Sequence, residues 1–556
     1  MTSVQRFFAL LKPNSKEIRN LYVFAIFNGA VSLSLPLGIQ SIINLIQGGE
    51  TSAAWIVLVS VVILGYFLSG LLQIMQLRIT EDLQKDIFTR SAFEFTYRIP
   101  RIKMKELYFN YAPELMNRFF DTISIQKGIA KILLEFSAAG LQIIFGLILL
   151  SFYHPFFIIF SILVLFISFI IGNYIFQRGL NSSVKESKYK YKVAFWLEEV
   201  ARSNTAFRLS CSSNYAMERT DSLVNVYQES REKHFKILLS QYYLFILFKI
   251  LIAAGFLLMG GILVFNQQMN LGQFVAAEIV VLLLINSTEK LFLTLESVYD
   301  LLTSIQKIGE VTDLELENQG GLIDRDYLNN DGIEIEINHL NFKYPDSPFM
   351  IINDFSLKLA KNEKVCITGT NGSGKATLMK LLTAYYEPES GSILYNNLPI
   401  NNYNISYLRS QIGFVTNEDR IFNGSVYENL TLGKTYSTAD INNIISNLHL
   451  SDYIGKLPQG YDTMIGPHGR KLSNSIYQKL LLARTLLKNP RLLLIEDTLK
   501  GLELAEKIQI IDYIISISEN RTVILISKDE VIQSKVDTVI DIDSGKIKTI
   551  TKNKNI

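Results

Sequence analysis

Six stretches of the chain are apolar for long enough to cross ~30 Å of hydrocarbon at 1.5 Å per residue of helix. The first two run from Leu21 to Ile46 and from Ala53 to Met75, joined by a short loop containing Gly48, Gly49 and Glu50. The second pair occupies Phe136 to Phe176, a run without Asp, Glu, Lys or Arg that the His154-Pro155 pair divides at a tight turn. The third pair runs from Tyr242 to Phe265 and from Leu271 to about Ile285, separated by Asn266 to Asn270. Residues 77–131 hold ten Lys or Arg and residues 177–241 hold eleven, whereas the connections on the opposite side hold none. This excess places both basic segments in the cytoplasm. They are poor in Gly and Pro, so they read as long helices that carry the spans beyond the bilayer.

After Thr312 the pattern changes. A polar stretch, residues 313–332, reads as a linker, and IEIEIN then alternates as a strand does. Short strand patterns (EKVCITG, QIGFV, RLLLIE, RTVILIS, DTVIDID) alternate with helical ones as far as residue 550, which predicts an α/β domain with a mostly parallel sheet. The expected organisation is a six-helix membrane domain at 1–312, the linker, an α/β P-loop domain at 333–550 and a frayed tail at 551–556.

Composition agrees with this division. A hydrophobic fraction of 49% and a mean hydropathy of +0.22 are high for a soluble protein, and 556 residues exceed one compact domain. A net charge of +2 gives no reason to expect nucleic acid. Cys211 and Cys366, in unrelated contexts, provide neither a disulfide framework nor a metal site, and both are expected to stay reduced. The first twenty residues lack the basic, apolar and small-residue order of a cleavable signal, so the first span serves as the insertion signal.

The candidate chemistry lies in EKVCITG followed by TNGSGKATLMKLL, a strand, glycine-rich loop and helix. Residues Gly369, Thr370, Asn371, Gly372, Ser373, Gly374 and Lys375 stand in phosphate-loop register, with Ala376 and Thr377 next. Glycines let backbone N–H groups close around phosphate oxygens, the helix N-terminus adds positive potential, and Lys375 adds a charge. Together with the order of later motifs, the chain resembles the ATP-binding-cassette family, especially exporters whose membrane and nucleotide-binding domains share one polypeptide. Tyr344 in FKYP matches the aromatic that stacks on adenine in such cassettes. QIGFVTNEDRIFNGSVYENL resembles the Q-loop region, YDTMIGPHGRKLSNS the run into the signature motif, and NPRLLLIEDTLKGLE the Walker B strand and D-loop.

Departures from the family pattern fall on the residues that perform chemistry. Ala376 replaces the hydroxyl residue that ligates Mg2+, and Thr377 stands one position late. Asn417 replaces the Gln that senses metal and attacking water. Glu496 and Asp497 reverse the Walker B order, so that Glu496 takes the metal side and Asp497 the position of the water-polarising base. Lys528 stands for the switch histidine, and the signature LSGGQ becomes Leu472-Ser473-Asn474-Ser475-Ile476, in which Ser473 is the retained donor. The resemblance thus implies a chain that binds ATP through Lys375, Tyr344 and the loop but hydrolyses it poorly, with little dependence on Mg2+.

The resemblance also implies partners. Each ATP in such cassettes is held between the P-loop of one copy and the signature of another, so a second half-transporter, the same or a different chain, is expected. NYAPELMNRFFDTIS at 110–124 and LEEVARSNTAFRLSCSS at 197–213 resemble coupling segments, and MNLGQFVAAEIV resembles type I protein-secretion and peptide exporters. That likeness brings in a periplasmic adaptor, an outer-membrane channel and a bacterial inner membrane as expectations. Lys249 and Glu278 are the ionisable residues nearest lipid, readable either as part of a pathway or as interfacial side chains. A nucleotide-regulated scaffold or channel subunit that transports nothing stays open as the alternative.

Overall fold

A computed structural model describes residues 2–47, 53–210, 214–323, 331–469, 472–496 and 502–553. The chain divides into two compact units, Met1–Pro100 with Asn110–Leu314, and Arg101–Phe109 with Glu315–Ile556. Division of the sequence at Thr312 assigns residues 101–109 to the membrane domain, whereas contacts place them in the second unit. The cause is a long-range pairing. Ile102 forms an antiparallel bridge with Leu316, the Glu317 N–H donates to the Arg101 carbonyl at 2.7 Å, and Lys103 Nζ lies 3.0 Å from Glu315.

The first unit is helical. Six segments among the described residues are long and apolar enough to cross a membrane: Ser3–Gln47, Ala53–Arg101, Ala112–Tyr153, Phe156–Arg202, Tyr215–Phe265 and Leu271–Thr312. The chain is therefore a multi-pass membrane protein. The first segment turns at Leu33, where Pro36 removes the N–H that would have bonded to the Ser32 carbonyl. At His154 the backbone is extended (φ −163°, ψ 144°), as a residue before proline prefers, and this ends one helix before Phe156 begins the next. Asn270 and Gln273 form a reciprocal cap at the start of the last helix. Helices approach closely at Gly179, where an added Cβ would lie 2.3 Å from the ring of fully buried Tyr299. The Tyr299 hydroxyl accepts from Gln241 Nε2 at 2.7 Å, which joins three helices at one point.

The run 110–124 is partly packed in the first unit, with Leu115 and Thr122 buried and Tyr111, Met116, Phe120 and Ile123 exposed. Arg118 and Asp121 are buried; Arg118 lies 3.2 Å from Glu114, 3.3 Å from Glu310 and 3.9 Å over the Tyr191 ring. Lys249 is exposed and 3.8 Å from Glu289, and Glu278 is half-buried. Residues 48–52 and 211–213, including Cys211, lie outside the described residues.

The second unit contains β1 (Ile335–Phe342), β2 (Ile352–Leu359), β3 (Lys364–Gly369), β4 (Ser390–Tyr395), β5 (Leu398–Pro399), β6 (Ile412–Val415), β7 (Gly424–Ser425), β8 (Met464–Ile465), β9 (Leu492–Ile495), β10 (Thr522–Ile526), β11 (Thr538–Asp543) and β12 (Lys546–Lys552). The main sheet has the order β12-β11-β3-β10-β9-β6 and is parallel except for β12. Every residue of β9 and β10 is buried, which accounts for the apolar runs Leu492–Ile495 and Val523–Ile526. Alternate side chains feed different cores: Leu492, Leu494, Ile524 and Ile526 join one, and Leu493, Ile495, Val523 and Leu525 the other. A second sheet, β2-β1-β4-β5, is antiparallel. Cys366 in β3 is buried, and its Sγ lies 3.6 Å from the Ser527 carbonyl. The segment read as a linker is fastened to this unit, with Glu317 holding Arg409 at 2.6 Å and Leu322 bridging to Tyr403.

Candidate functional site

The site forms where β3 ends. Its Gly369 leads into the loop, and Gly374, at φ 95°, caps the Lys375–Leu382 helix. The location at the carboxyl ends of parallel strands is where open α/β sheets leave a crevice. A cavity of about 380 Å³ is lined by Tyr344, Ile351, residues 371–377, Asn417, Glu496, Ile526 and Lys528. The structure thus brings together residues drawn from five separated motifs. β9 delivers Glu496, β10 delivers Lys528, and the turn after β6 delivers Asn417, whose backbone N–H donates to Glu496 Oε2 at 3.4 Å.

Lys375 folds back over its own loop. Its Nζ donates to the Gly369 carbonyl (3.1 Å), the Thr370 carbonyl (2.5 Å) and Ser373 Oγ (3.2 Å). Thr370 donates through Oγ1 to Asp543 at 3.3 Å, bracing the loop through two residues that do not line the cavity. Lys528 Nζ donates to Asn371 Oδ1 at 3.1 Å, so a second ammonium meets the loop from β10.

Two sequence-predicted residues are disposed differently from the rest. Thr377 is buried and its hydroxyl lies 3.1 Å from the Tyr344 hydroxyl, so its position one residue late does not substitute for a hydroxyl at Ala376. Ser473 is outside the cavity; it caps the Asn474–Leu487 helix by accepting from the Ile476 N–H at 3.3 Å. Asp497 and the rest of 497–501, with Arg470 and Lys471, lie outside the described residues.

Sequence reading missed the surroundings of Tyr344. Tyr108 stacks on its ring at 5.6 Å and 15°, while Phe342 and Tyr386 meet it nearly at right angles. The Tyr108 hydroxyl donates to Asp346, and this bond raises its phenol above the ordinary value. Burial raises Tyr386 to about 12, so both phenols are neutral at physiological pH. The aromatic content of KMKELYFN was the available signal, but nothing local specified that Tyr108 would reach Tyr344, more than two hundred residues away.

Comparison with known proteins agrees with both units. Residues 352–500 match the family model described as ABC transporter, and residues 19–288 that described as ABC transporter transmembrane region. The chain is 33% identical to ABC transporter B family member 21 of Arabidopsis thaliana over 216 residues, 38% of this chain and 17% of that protein. It is 32% identical to an ATP-dependent lipid A-core flippase of Pseudomonas syringae pv. tomato over 244 residues, 44% of this chain and 40% of that protein. These matches span less than half of the relatives' own lengths. Its fold is similar to a solved structure titled as a bacterial Atm1-family ABC exporter with ATP bound, with a TM-score of 0.86, 19% identity and coverage of 97% of this chain and 96% of that one.

Proposed function

Since the chain belongs to the ABC transporter family, we propose that it is an exporter subunit that binds ATP and couples association of two nucleotide-binding domains to movement of a substrate across a bacterial inner membrane, with weak hydrolysis at its own site. The observation that carries this reading is the cavity at the end of β3, which keeps the loop, Lys375 and Tyr344 while presenting a methyl group at Ala376. Placement of Ser473 outside its own chain's cavity supports a second copy or a second half-transporter as the source of the signature contact. The flippase named among the relatives supports movement of a substrate across a membrane as the activity.

The reading is tested on purified protein by equilibrium ATP binding and by solute transport after reconstitution. Lys375→Ala should weaken ATP binding by about 10- to 100-fold, the worth of a charge-assisted contact to phosphate. Unchanged binding would remove Lys375 from the site. Transport of no solute by a protein that binds ATP would favour a nucleotide-regulated scaffold or channel.

Tyr108 provides a second check. Adenine stacking on Tyr344 meets a face covered by Tyr108, and of the three aromatic neighbours only Tyr108 is exposed, at 41% against 3% for Phe342 and 8% for Tyr386. Tyr108 is therefore the ring that gives way. An aromatic stack is worth about 0.5–1.5 kcal/mol, so Tyr108→Ala should tighten ATP binding by about 2- to 10-fold. Weaker binding would instead make Tyr108 a second wall of the adenine site.

A further inference from the structure

Mg2+ accompanies ATP in this family's usual chemistry, and the residues around the cavity do not fit it. A hard cation of this size requires near-octahedral oxygen ligation. Here the position that should supply a hydroxyl is Ala376, and the Thr377 hydroxyl is buried against Tyr344 at 3.1 Å. The cavity is lined by one carboxylate, Glu496, the side-chain amides of Asn371 and Asn417, the hydroxyls of Tyr344, Ser373 and Thr377, and two ammonium groups, Lys375 and Lys528, which already engage Ser373 at 3.2 Å and Asn371 at 3.1 Å. Among the described residues no group of three or more His, Cys, Asp or Glu side chains could hold a metal ion.

Lys528 changes the electrostatics of the site more than the lost hydroxyl does. It follows the fully buried strand β10 and buried Ser527, so its backbone is fixed, and its Nζ is held 3.1 Å from Asn371 in the loop. The nearest acidic residue in sequence, Asp529, is engaged by Lys507 at 3.0 Å. A divalent cation placed in the cavity would meet the Lys528 charge as repulsion, and a triphosphate placed there would meet it as attraction.

We propose that Lys528 supplies the positive charge that a divalent metal supplies in other cassettes, so that this site holds ATP as the metal-free nucleotide between Lys375 and Lys528. The proposal rests on the ATP-binding reading above and goes further by assigning the countercharge. It also accounts for the loss of the hydroxyl at position 376 and the appearance of a lysine at position 528 as one linked change, since each makes the other tolerable.

The test is equilibrium binding of ATP to the purified full chain in excess Mg2+ and in EDTA, with thermal unfolding as the control for folding. Wild-type affinity should change by less than about threefold between the two buffers, well below one decade. Lys528→Gln should lose about tenfold or more in EDTA, and Lys528→Arg, which keeps the charge, should retain it. Adding Ala376→Ser to Lys528→Gln should restore binding in Mg2+ but not in EDTA. ATP binding that is strong in Mg2+ and more than about tenfold weaker in EDTA would overturn the proposal and leave the ATP-binding reading intact. Equal affinity of folded Lys528→Gln and wild type in EDTA would also overturn it. Absence of binding in both buffers would defeat the ATP-binding reading itself.

Discussion

Purified and reconstituted, the chain should hydrolyse ATP at least about a thousandfold more slowly than a version of itself in which the family's chemical residues are restored. Phosphoryl transfer depends on positioning and charge stabilisation, and a misplacement of ~1 Å costs on the order of a hundredfold. The geometry shows how the displaced groups meet. Glu496 is presented at the end of buried β9, its carboxylate accepts from the Asn417 N–H at 3.4 Å, and Lys528 faces the loop from β10. Each sits on a rigid strand end or the turn beside it, so a side chain that is one carbon too long or too short cannot be corrected by backbone movement. Restoration should be non-additive, because residues acting on one transferred group behave as a unit. Ala376→Ser, Asn417→Gln, Lys528→His or the Glu496→Asp, Asp497→Glu exchange should each change turnover little alone. Combined with glycines at Asn474 and Ser475 and Gln at Ile476, they should recover it. Turnover by the unaltered chain equal to that of the restored one would show that these departures have no catalytic consequence.

What could be read from the sequence follows from what periodicity reports. Length of an apolar run measures the burial a segment needs along its own axis, and this is why the six spans and the fully buried β9 and β10 were legible. The loop from Gly369 to Lys375 was legible because strand, glycines and helix are contiguous. Partners distant in the chain leave no such trace. The bridge from Ile102 to Leu316, which gathers residues 101–109 into the second unit, depends on pairing two short extended segments that each look like loop. Stacking of Tyr108 on Tyr344 follows from that bridge and was invisible for the same reason. The direction of the Thr377 hydroxyl was equally hidden, since one residue along a helix rotates a side chain by about 100°. Only the location of the Tyr344 hydroxyl shows that Thr377 turns toward it. Pro36 was readable as a break in principle, yet its apolar neighbours masked it within one continuous span.

Two glycines of the loop should respond to alanine to different degrees, although both have positive φ, 136° at Gly369 and 82° at Gly372. At Gly369 an added Cβ would lie 2.0 Å from the Ile542 carbonyl oxygen, an atom of β11 in register with it. Backbone on a paired neighbouring strand cannot swing aside, so Gly369→Ala must part β11 from β3 at the point where the loop begins. Its cost adds overpacking to left-handed strain and should reach about 3 kcal/mol or more. The damage extends to Lys375, whose Nζ is anchored on the Gly369 carbonyl at 3.1 Å, so ATP binding should fall with stability. At Gly372 nothing stands within 4 Å of the added Cβ. Gly372→Ala should therefore cost only the conformational strain of alanine in the left-handed region, about 1–2 kcal/mol. Thermal unfolding of the two variants beside wild type separates these cases, with a marked drop in midpoint for Gly369→Ala and a small one for Gly372→Ala. Equal losses would mean that left-handed strain alone governs the loop, and that the close approach of β11 is relieved by a shift of the strand.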